Sequence, residues 1–275
     1  MMKNSDLIVP PKVVQKLNKW KKDISFQYEP YLTVRDVNKI GRRHWIFCSR
    51  QQREVHLLSD GERRAYDILL AMKGMISVME QYALDLDDTL EIADSLGFIH
   101  PRNYKTREVV VMTTDFVVDR VINGVKQRQA YTFKYANQLF EDANKEEQKP
   151  AAWRTWQKFE IERLYWESRE VEYRIITEKH ATKELSWNIQ FCEPCRGLTV
   201  PDELLSAFIE AIYATWLAAP TQQLQVLCAS VAQTIDVEPK VAMKLFKFAV
   251  YHGYLPIAHD AHLRIFRPVT LLAIS

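Results

Sequence analysis

The chain has 275 residues and a formal net charge of +2; 47% of its residues are apolar and 26% are charged. These values exclude an intrinsically disordered chain, and the low counts of 7 Gly and 11 Pro exclude collagen-like or linker-like material. The sequence shows no run of 18 apolar residues, no signal-peptide pattern and, with four cysteines, no disulfide framework. We therefore expect a cytoplasmic protein that does not contact a membrane.

The charge is unevenly distributed along the chain. Residues 1–60 carry 12 Lys and Arg against 6 Asp and Glu, whereas residues 61–120 carry 7 against 11. A basic segment followed by an acidic one is typical of a site that attracts polyanions and also holds cations. An uneven solvated surface is the alternative interpretation.

The first 100 residues predict a basic, mostly irregular lead followed by strands and helices. The pattern predicts a short helix at Val13–Lys22, strands at Tyr31–Val37, His44–Cys48 and Val55–Leu58, a helix from Ser59 to about Ala83, and a second helix at Thr89–Leu96. Gly97 follows this second helix, in the position where a glycine commonly ends one.

The clearest β signal is a hairpin in the middle of the chain. Its strands are Val109–Asp119 and Val125 to about Tyr135, and the two-residue turn Asn123-Gly124 joins them. The residues that follow predict a charged helix at about Ala151–Glu170, a strand at Tyr173–Thr177 and the start of a short helix at Thr182–Trp187. This mixture of strands and helices indicates an α/β domain.

A composition change divides the chain. Residues 188–200 contain two Cys, a Pro and a Gly without periodicity, so we predict one domain over residues 1–190 and a second over residues 198–275. The second domain is predicted to contain three amphipathic helices and two short strands, at Pro201–Leu217, Thr221–Ile235, Glu238–His252, Tyr254–Ile257 and Leu263–Phe266. Three helices followed by a hairpin are typical of a mostly α-helical winged-helix domain.

The two-residue turn sets the register of the hairpin, so that Asp115 lies opposite Thr132 and diagonal to Lys134. Because opposed residues share a face of the sheet, the Asp115 and Lys134 side chains are within reach of each other, with Cβ atoms roughly 6–8 Å apart. An Asp and a Lys on adjacent strands, near an upstream Glu, are typical of metal-dependent phosphodiesterases. The carboxylates hold a hard cation and the lysine assists the attacking water. A surface ion pair is the alternative.

Glu62 is the natural upstream carboxylate, and it has a competing structural interpretation. Ser59 and Glu62 have the spacing of a capping box, in which the Ser caps a helix and the Glu reaches back to the main-chain amide of that Ser. Both roles remain open for Glu62 at this point.

Three segments of the chain resemble the motifs of one family. They are Leu-Leu-Ser-Asp-Gly-Glu at 57–62, Met-Thr-Thr-Asp-Phe-Val-Val-Asp at 112–119 and Phe-Lys at 133–134, and the similarity continues at 31–34, 41–42, 97–101 and 158–166. They resemble, in the same order, the motifs of TnsA, the DNA-cleaving subunit of multi-subunit cut-and-paste bacterial transposons. The resemblance covers nearly all of residues 28–190.

The resemblance implies a restriction-endonuclease-like catalytic domain, a mixed sheet flanked by helices, over residues 1–190 of a bacterial cytoplasmic protein. It implies Mg²⁺ as the cofactor, with Mn²⁺ as a substitute, and cleavage of double-stranded DNA at the 5′ ends of the transposon. It also implies a partner transposase that acts at the 3′ ends and an ATPase regulator that docks on the C-terminal domain. Glu62 and Asp115 are then metal-binding catalytic carboxylates, and Lys134 is the catalytic lysine.

One position departs from the family pattern, which has Gln two residues before the Lys, whereas this chain has Thr132. Both residues are neutral, so the charge of the site is unchanged, but a Thr hydroxyl reaches less far than a Gln amide. We therefore expect Thr132 to contact the cation through a water molecule, or the main-chain carbonyl of Phe133 to serve as the oxygen ligand.

Two groups of basic residues are candidates for contacts with DNA phosphates. Arg42 and Arg43 belong to the basic N-terminal segment. Lys240, Lys244 and Lys247 recur at spacings of four and three, so they share one face of the third C-terminal helix, as in a helix that enters the major groove. A solvated helix face is the alternative for these lysines.

Two functions from different classes remain. The first is a Mg²⁺-dependent DNA endonuclease of a transposition complex. The second is a non-catalytic winged-helix scaffold or regulator that binds DNA or protein and carries a decayed nuclease site. The joint presence of Glu62, Asp115 and Lys134 favours the first, and Thr132 is the feature that suggests the second.

Overall fold

A computed structural model of the chain describes residues 3–37, 41–139 and 150–273. The chain divides into two compact units, residues 1–181 and residues 182–275. This division falls before the boundary predicted at residues 188–200. The reason is that the helix Lys183–Cys192 belongs to the second unit, where Cys192 is fully buried in the core.

The first unit is a mixed sheet with helices on both faces. Its elements are α1 (Pro11–Asp23), β1 (His44–Cys48), β2 (Arg53–Leu57), α2 (Asp60–Ala71), β3 (Met75–Ala83), α3 (Leu86–Ser95), β4 (Thr113–Ile122), β5 (Val125–Phe133), α4 (Pro150–Glu167) and β6 (Glu172–Ile176). The strands β1 and β2 form an antiparallel ribbon. In the four-stranded sheet β3-β4-β5-β6, neighbours are antiparallel except β5 and β6, which are parallel.

The alternation of side chains along the central strands explains the layers. Phe116 and Val118 of β4 point into a core with α2, whereas Val117 between them points into a core with α3 and α4. The centre of β4 is therefore buried on both faces, as expected for the uninterrupted apolar run Phe116–Val118. A mixed sheet flanked by helices is confirmed.

The central hairpin agrees with the prediction. Asn123 and Gly124 both have positive φ, +51° and +78°, as a tight two-residue turn between antiparallel strands requires. Pairing starts at Ile122 with Val125 and continues along both strands. The predicted register is therefore confirmed over the paired part of the hairpin.

Two predicted elements of the first unit are wrong. The helix predicted from Ser59 to about Ala83 ends at Ala71, and β3, which pairs along β4, follows it. Gly74, with a φ of +72°, separates the helix from the strand, and a short apolar run such as β3 does not distinguish the two structures by periodicity. The strand predicted at residues 31–37 is instead a series of bends and turns.

The outer edge of β3 is covered by groups from the N-terminal region. The Gln51 amide donates to the Val78 carbonyl at 3.0 Å and accepts from the Val78 N–H at 2.8 Å, as a neighbouring strand would. The Tyr31 N–H donates to the Gln81 carbonyl at 3.1 Å. These contacts protect an edge that could otherwise pair with another chain, and they hold the main chain of Gln81 in place.

The second unit is mostly helical, with α5 (Lys183–Cys192), α6 (Asp202–Ala218), α7 (Leu224–Thr234) and α8 (Pro239–Tyr251) around one apolar core. The three predicted C-terminal helices are present. In place of the predicted terminal hairpin, Ile257 pairs with Leu271 in an isolated antiparallel bridge, and the Ile265 carbonyl accepts from Gln225 N–H at 2.8 Å. The winged-helix assignment therefore stays a prediction. Within the described part of the chain, no helix is long and apolar enough to cross a membrane.

Candidate active site

Glu62 lies in the first turn of α2, where a capping arrangement fixes its carboxylate. Ser59 is the N-cap residue: its Oγ accepts the Glu62 N–H at 3.0 Å, and its hydroxyl donates to Glu62 Oε1 at 3.1 Å. Glu62 Oε2 accepts from Leu58 N–H at 2.9 Å. The Ser59 half of the predicted cap is therefore formed, whereas Glu62 reaches the amide of Leu58 instead of that of Ser59. These contacts hold a buried carboxylate at the positive end of the helix.

A close contact joins the start of α2 to the end of β5. A Cβ atom placed on Gly61 would lie 1.9 Å from Cε1 of the Phe133 ring, so that a larger residue does not fit. The Phe133 ring is buried and packs edge-to-face against Tyr135, with ring centroids 5.2 Å apart. Gly61 thus allows Glu62 to approach the strand end that precedes Lys134.

Asp115 lies at the point where main-chain pairing between β4 and β5 changes to a side-chain contact. The main-chain ladder extends to Phe116 and Tyr131, and Asp115 Oδ2 accepts the Phe133 N–H at 2.8 Å. The half-buried Asp115 carboxylate is thereby fixed beside the residue that precedes Lys134. Asp115 and Lys134 therefore lie together, as the hairpin register predicts.

Gln81 connects the two carboxylates and was not found by sequence reasoning. Its Nε2 donates to Glu62 Oε2 at 3.2 Å, and its side chain also hydrogen-bonds Asp115, which lowers the pKa of that carboxyl. Its Oε1 accepts from the Thr113 hydroxyl at 3.2 Å. The sequence carries no signal for this role. Gln81 belongs to β3, and the sequence pattern of this segment predicts a helix instead of a strand.

Glu162 of α4 adds a third carboxylate to the site, and it is buried. Its Oε2 accepts from Thr132 Oγ1 at 2.7 Å and from the Tyr173 hydroxyl at 2.9 Å. The expected contact of Thr132 with a cation is therefore corrected: its hydroxyl is buried between β5 and α4 and donates to Glu162. The only sequence signal for Glu162 is its place in the 158–166 segment that resembles the family.

The three carboxylates perturb one another's ionisation. Burial and the Asp115 carboxylate raise the pKa of Glu62 to about 8. The same two causes raise the pKa of Glu162 to about 8. Burial raises the pKa of Asp115 to about 6, although the Phe133 N–H and Lys134 oppose this shift. The site therefore gathers carboxyl groups whose ionised forms are unfavourable alone and would be stabilised by a bound cation.

Two lysines border the carboxylates. The Lys134 N–H donates to the Ile176 carbonyl of β6 at 2.9 Å, which anchors its main chain, and its ammonium lowers the pKa of both Asp115 and Glu162. Lys158 lies one turn before Glu162 on α4. Desolvation of its ammonium and the neighbouring Arg154 and Lys134 charges lower the pKa of Lys158. Positive charge thus surrounds one side of the acidic cluster.

The carboxylates of Glu62 and Asp115 are the oxygen donors that could hold a divalent cation. Across residues 3–37, 41–139 and 150–273, His, Cys, Asp and Glu form no group of three or more arranged to hold a metal. Two carboxylates that repel each other, Glu62 and Asp115, still match Mg²⁺, which is commonly held by one or two protein carboxylates together with water and phosphate oxygens. The residues therefore fit a hard cation whose remaining ligands come from water and substrate.

The predicted DNA-binding residues have different surroundings. Arg42 is exposed next to β1, whereas the Arg43 guanidinium donates to the main-chain carbonyls of Val34 and Val37, the latter at 2.8 Å. In the second unit, Lys240 and Lys244 are exposed on α8. Lys247 instead lies 4.0 Å from the centre of the Phe191 ring. Arg43 and Lys247 therefore have structural partners, and Arg42, Lys240 and Lys244 are the freer candidates.

Part of the first unit is similar to a family of known proteins. Residues 73–178 match the family model "TnsA-like endonuclease N terminal". The matched range includes Asp115 and Lys134 and begins after Glu62. Over these residues the chain therefore resembles the N-terminal domain of TnsA-like endonucleases.

One relative is similar to this chain over a longer stretch. The chain is 32% identical over 179 residues to the Transposon Tn7 transposition protein TnsA of Escherichia coli, a match that covers 65% of this chain and 60% of the relative. The matched part thus spans less than two thirds of that protein.

Proposed function

We propose that this chain is a Mg²⁺-dependent DNA endonuclease of a transposition complex. It hydrolyses phosphodiester bonds at the 5′ ends of a transposon, while a partner transposase acts at the 3′ ends. One observation carries the proposal: Glu62 and Asp115 meet through the Gln81 amide, with Lys134 directly after the strand that Asp115 contacts. The match of residues 73–178 to a TnsA-like endonuclease model supports the same chemistry.

Glu62 and Asp115 would hold the cation, with the Phe133 main-chain carbonyl as a further oxygen ligand. Mg²⁺, or Mn²⁺ in its place, would supply an acidified water and charge neutralisation at the scissile phosphate. Glu62 is held by three hydrogen bonds and Asp115 by the Phe133 N–H, so both carboxylates are oriented before a substrate arrives. Such preorganisation avoids reorientation of charged groups during the reaction.

Lys134 has the chemistry to act on the attacking water and on the phosphate. Its ammonium already lowers the pKa of Asp115, so it lies close enough to interact with charge at the carboxylates. A cation in this position offsets the negative charge that develops on the phosphate and positions the water. We assign Glu162 and Thr132 to the support of this arrangement from α4, through their 2.7 Å hydrogen bond.

The same proposal assigns residues that would bind DNA and a surface that would bind an ATPase regulator. Exposed Arg42 would contact DNA phosphates from the first unit, and exposed Lys240 and Lys244 from the second. The second unit would also dock an ATPase regulator. Its exposed apolar side chains, among them Leu217 and Phe266, are consistent with a protein contact.

The test is strand-resolved mapping of cleavage at transposon ends with the partner transposase present. Asp115→Asn and Lys134→Ala are each expected to lower 5′-strand cutting by orders of magnitude and to leave 3′-strand cutting intact. Asp119→Asn is the matched control, because this carboxylate lies on the same strand and pairs with Arg128 at 2.7 Å. The control should cut like the wild type.

The same experiment separates the nuclease from the non-catalytic alternative. Wild-type cutting by Asp115→Asn would remove the catalytic assignment. Calorimetry with Mn²⁺ that shows no binding dependent on Asp115 would favour a scaffold in which Glu62 serves only as a helix cap.

A further inference from the structure

The Gln81 side chain occupies an unusual place for a neutral residue. In the ladder between β3 and β4, Glu80 pairs with Phe116 and Tyr82 pairs with Thr114. Gln81 therefore lies opposite Asp115. Its side chain is 2% exposed, and its amide nitrogen lies 3.2 Å from Glu62 Oε2. The carboxamide therefore occupies the space between the two carboxylates.

The backbone at Gln81 is specialised for this placement. Its φ is +50°, a left-handed value that few residues other than Gly, Asn and Asp adopt, and it occurs inside a strand. The Gln81 carbonyl accepts from Tyr31 N–H at 3.1 Å, so the conformation is held by a contact outside the sheet. Backbone strain of this kind commonly accompanies a functional side chain.

Thr113, which contacts the oxygen end of the Gln81 amide, permits two orientations of that amide. Thr113 Oγ1 donates to Gln81 Oε1 at 3.2 Å. A hydroxyl both donates and accepts, so Thr113 satisfies the oxygen end of the amide or, after a half-turn of the amide, its nitrogen end. With the nitrogen toward the carboxylates, the amide bridges two acceptors; with the oxygen toward them, it offers a ligand to a cation.

We propose that Gln81 is a cation ligand through Oε1, and that Thr113 is the positioning residue that allows its amide to turn. This inference rests on the proposed function, because it assumes that Glu62 and Asp115 hold a divalent cation. Thr132 does not compete for the role, since its hydroxyl is engaged by Glu162 at 2.7 Å. Gln81 would thus supply a neutral oxygen between the two charged ligands.

The experiment is calorimetric titration of the full chain with MnCl₂, without DNA. Gln81→Met keeps the length of the side chain and removes the amide, and it should weaken Mn²⁺ binding about tenfold or more. Thr113→Val keeps the branched shape and removes the hydroxyl, and it should weaken binding as well. Thr113→Ser restores the hydroxyl and should bind like the wild type.

Gln129→Met is the matched control, because Gln129 is also a buried glutamine of the sheet and its partners are Tyr131 and Glu172. This control should lower the melting temperature and leave Mn²⁺ affinity unchanged. If Gln81→Met does not fold, Thr113→Val against Thr113→Ser decides the question.

The outcomes are distinct. Wild-type affinity in Gln81→Met, or in Thr113→Val, overturns the role of Gln81 and leaves the proposed function standing, provided that binding still depends on Asp115. Absence of Mn²⁺ binding by the wild type itself overturns both proposals. Weaker binding in both variants, with unchanged binding in Thr113→Ser and Gln129→Met, supports the inference.

Discussion

Gly61→Ala is the sharpest test of how the fold builds the site. Gly61 belongs to α2 and its φ lies outside the positive region, so the backbone conformation itself tolerates Ala. Alanine also has the higher intrinsic helix propensity, by up to about 1 kcal/mol. On local grounds alone the substitution would stabilise the protein.

The packing of Phe133 reverses this expectation. The new Cβ would lie 1.9, 2.2 and 2.6 Å from three ring carbons, where carbon atoms need about 3.5 Å. The ring is buried and cannot swing into solvent, so α2 and the end of β5 must separate by roughly 1.5 Å. Overpacking of this kind costs about 1–3 kcal/mol, which exceeds the gain in helix propensity.

The same displacement separates Glu62 from Asp115 and Lys134. Misplacement of catalytic groups by about 1 Å commonly costs 100-fold in rate. We therefore expect Gly61→Ala to reduce 5′-strand cleavage about 100-fold and to lower the free energy of unfolding by about 1–3 kcal/mol. Strand-resolved cleavage and chemical denaturation measure the two effects.

A second-site variant identifies the cause. Phe133→Leu removes the clashing ring atoms, so Gly61→Ala in that background should cost less than in the wild type, with a coupling free energy of about 1–2 kcal/mol. Gly41→Ala is the control, because a Cβ there meets no atom within 4 Å. Additive effects of Gly61→Ala and Phe133→Leu would refute the reasoning.

Three further predictions concern charge and domain organisation. Asp115→Asn should raise the melting temperature at pH 8 in EDTA, because loss of the like charge makes ionised Glu62 less unfavourable; an unchanged or lower value counts against the electrostatic coupling. Burial lowers the pKa of His100 to about 4, so the folded state binds fewer protons than the unfolded state between about pH 4 and 6.5 and stability falls as pH drops, by about 2 kcal/mol at pH 5. Denaturation of the wild type and of His100→Gln at pH 7 and 5 isolates this loss: relative to the variant, the wild type should lose about 2 kcal/mol, because Glu62 and Glu162 titrate alike in both proteins. Residues 1–181 expressed alone should fold and bind Mn²⁺ but no longer bind the ATPase regulator, which a pull-down would measure. If this fragment still binds the regulator, the regulator-binding site lies in the first unit.

Local signals in the sequence were sufficient for several features of the fold. The Asn123-Gly124 turn determines the hairpin register, since both residues take the positive φ that the turn requires. The capping spacing of Ser59 and Glu62 predicts the start of α2. These features depend on neighbours a few residues apart, which is why the sequence reveals them.

Features that depend on tertiary contacts were missed. Pairing with β4, some 40 residues away, makes Met75–Ala83 a strand and not a helix. A local sequence pattern contains no information on such distant pairing. The error concealed Gln81, whose role follows from being a strand residue opposite Asp115. Likewise, Thr132 was assigned to the cation because its other neighbour, Glu162, comes from α4 and is buried against it only in the folded chain.

The electrostatics of the site favour a nuclease over a decayed scaffold. A helix cap needs an oxygen acceptor at position 62, and a Gln, which also serves in a capping box, would provide one without charge. Glu62 instead places a second carboxylate beside Asp115, where burial and mutual repulsion raise the pKa of Glu62 to about 8, and Glu162 adds a third. This shift disfavours the ionised form of Glu62 in the cation-free protein. A cap and a surface ion pair need no such arrangement, whereas a divalent cation between Glu62 and Asp115 turns the repulsion into attraction, and this makes a cation-dependent function the simpler account of the cluster.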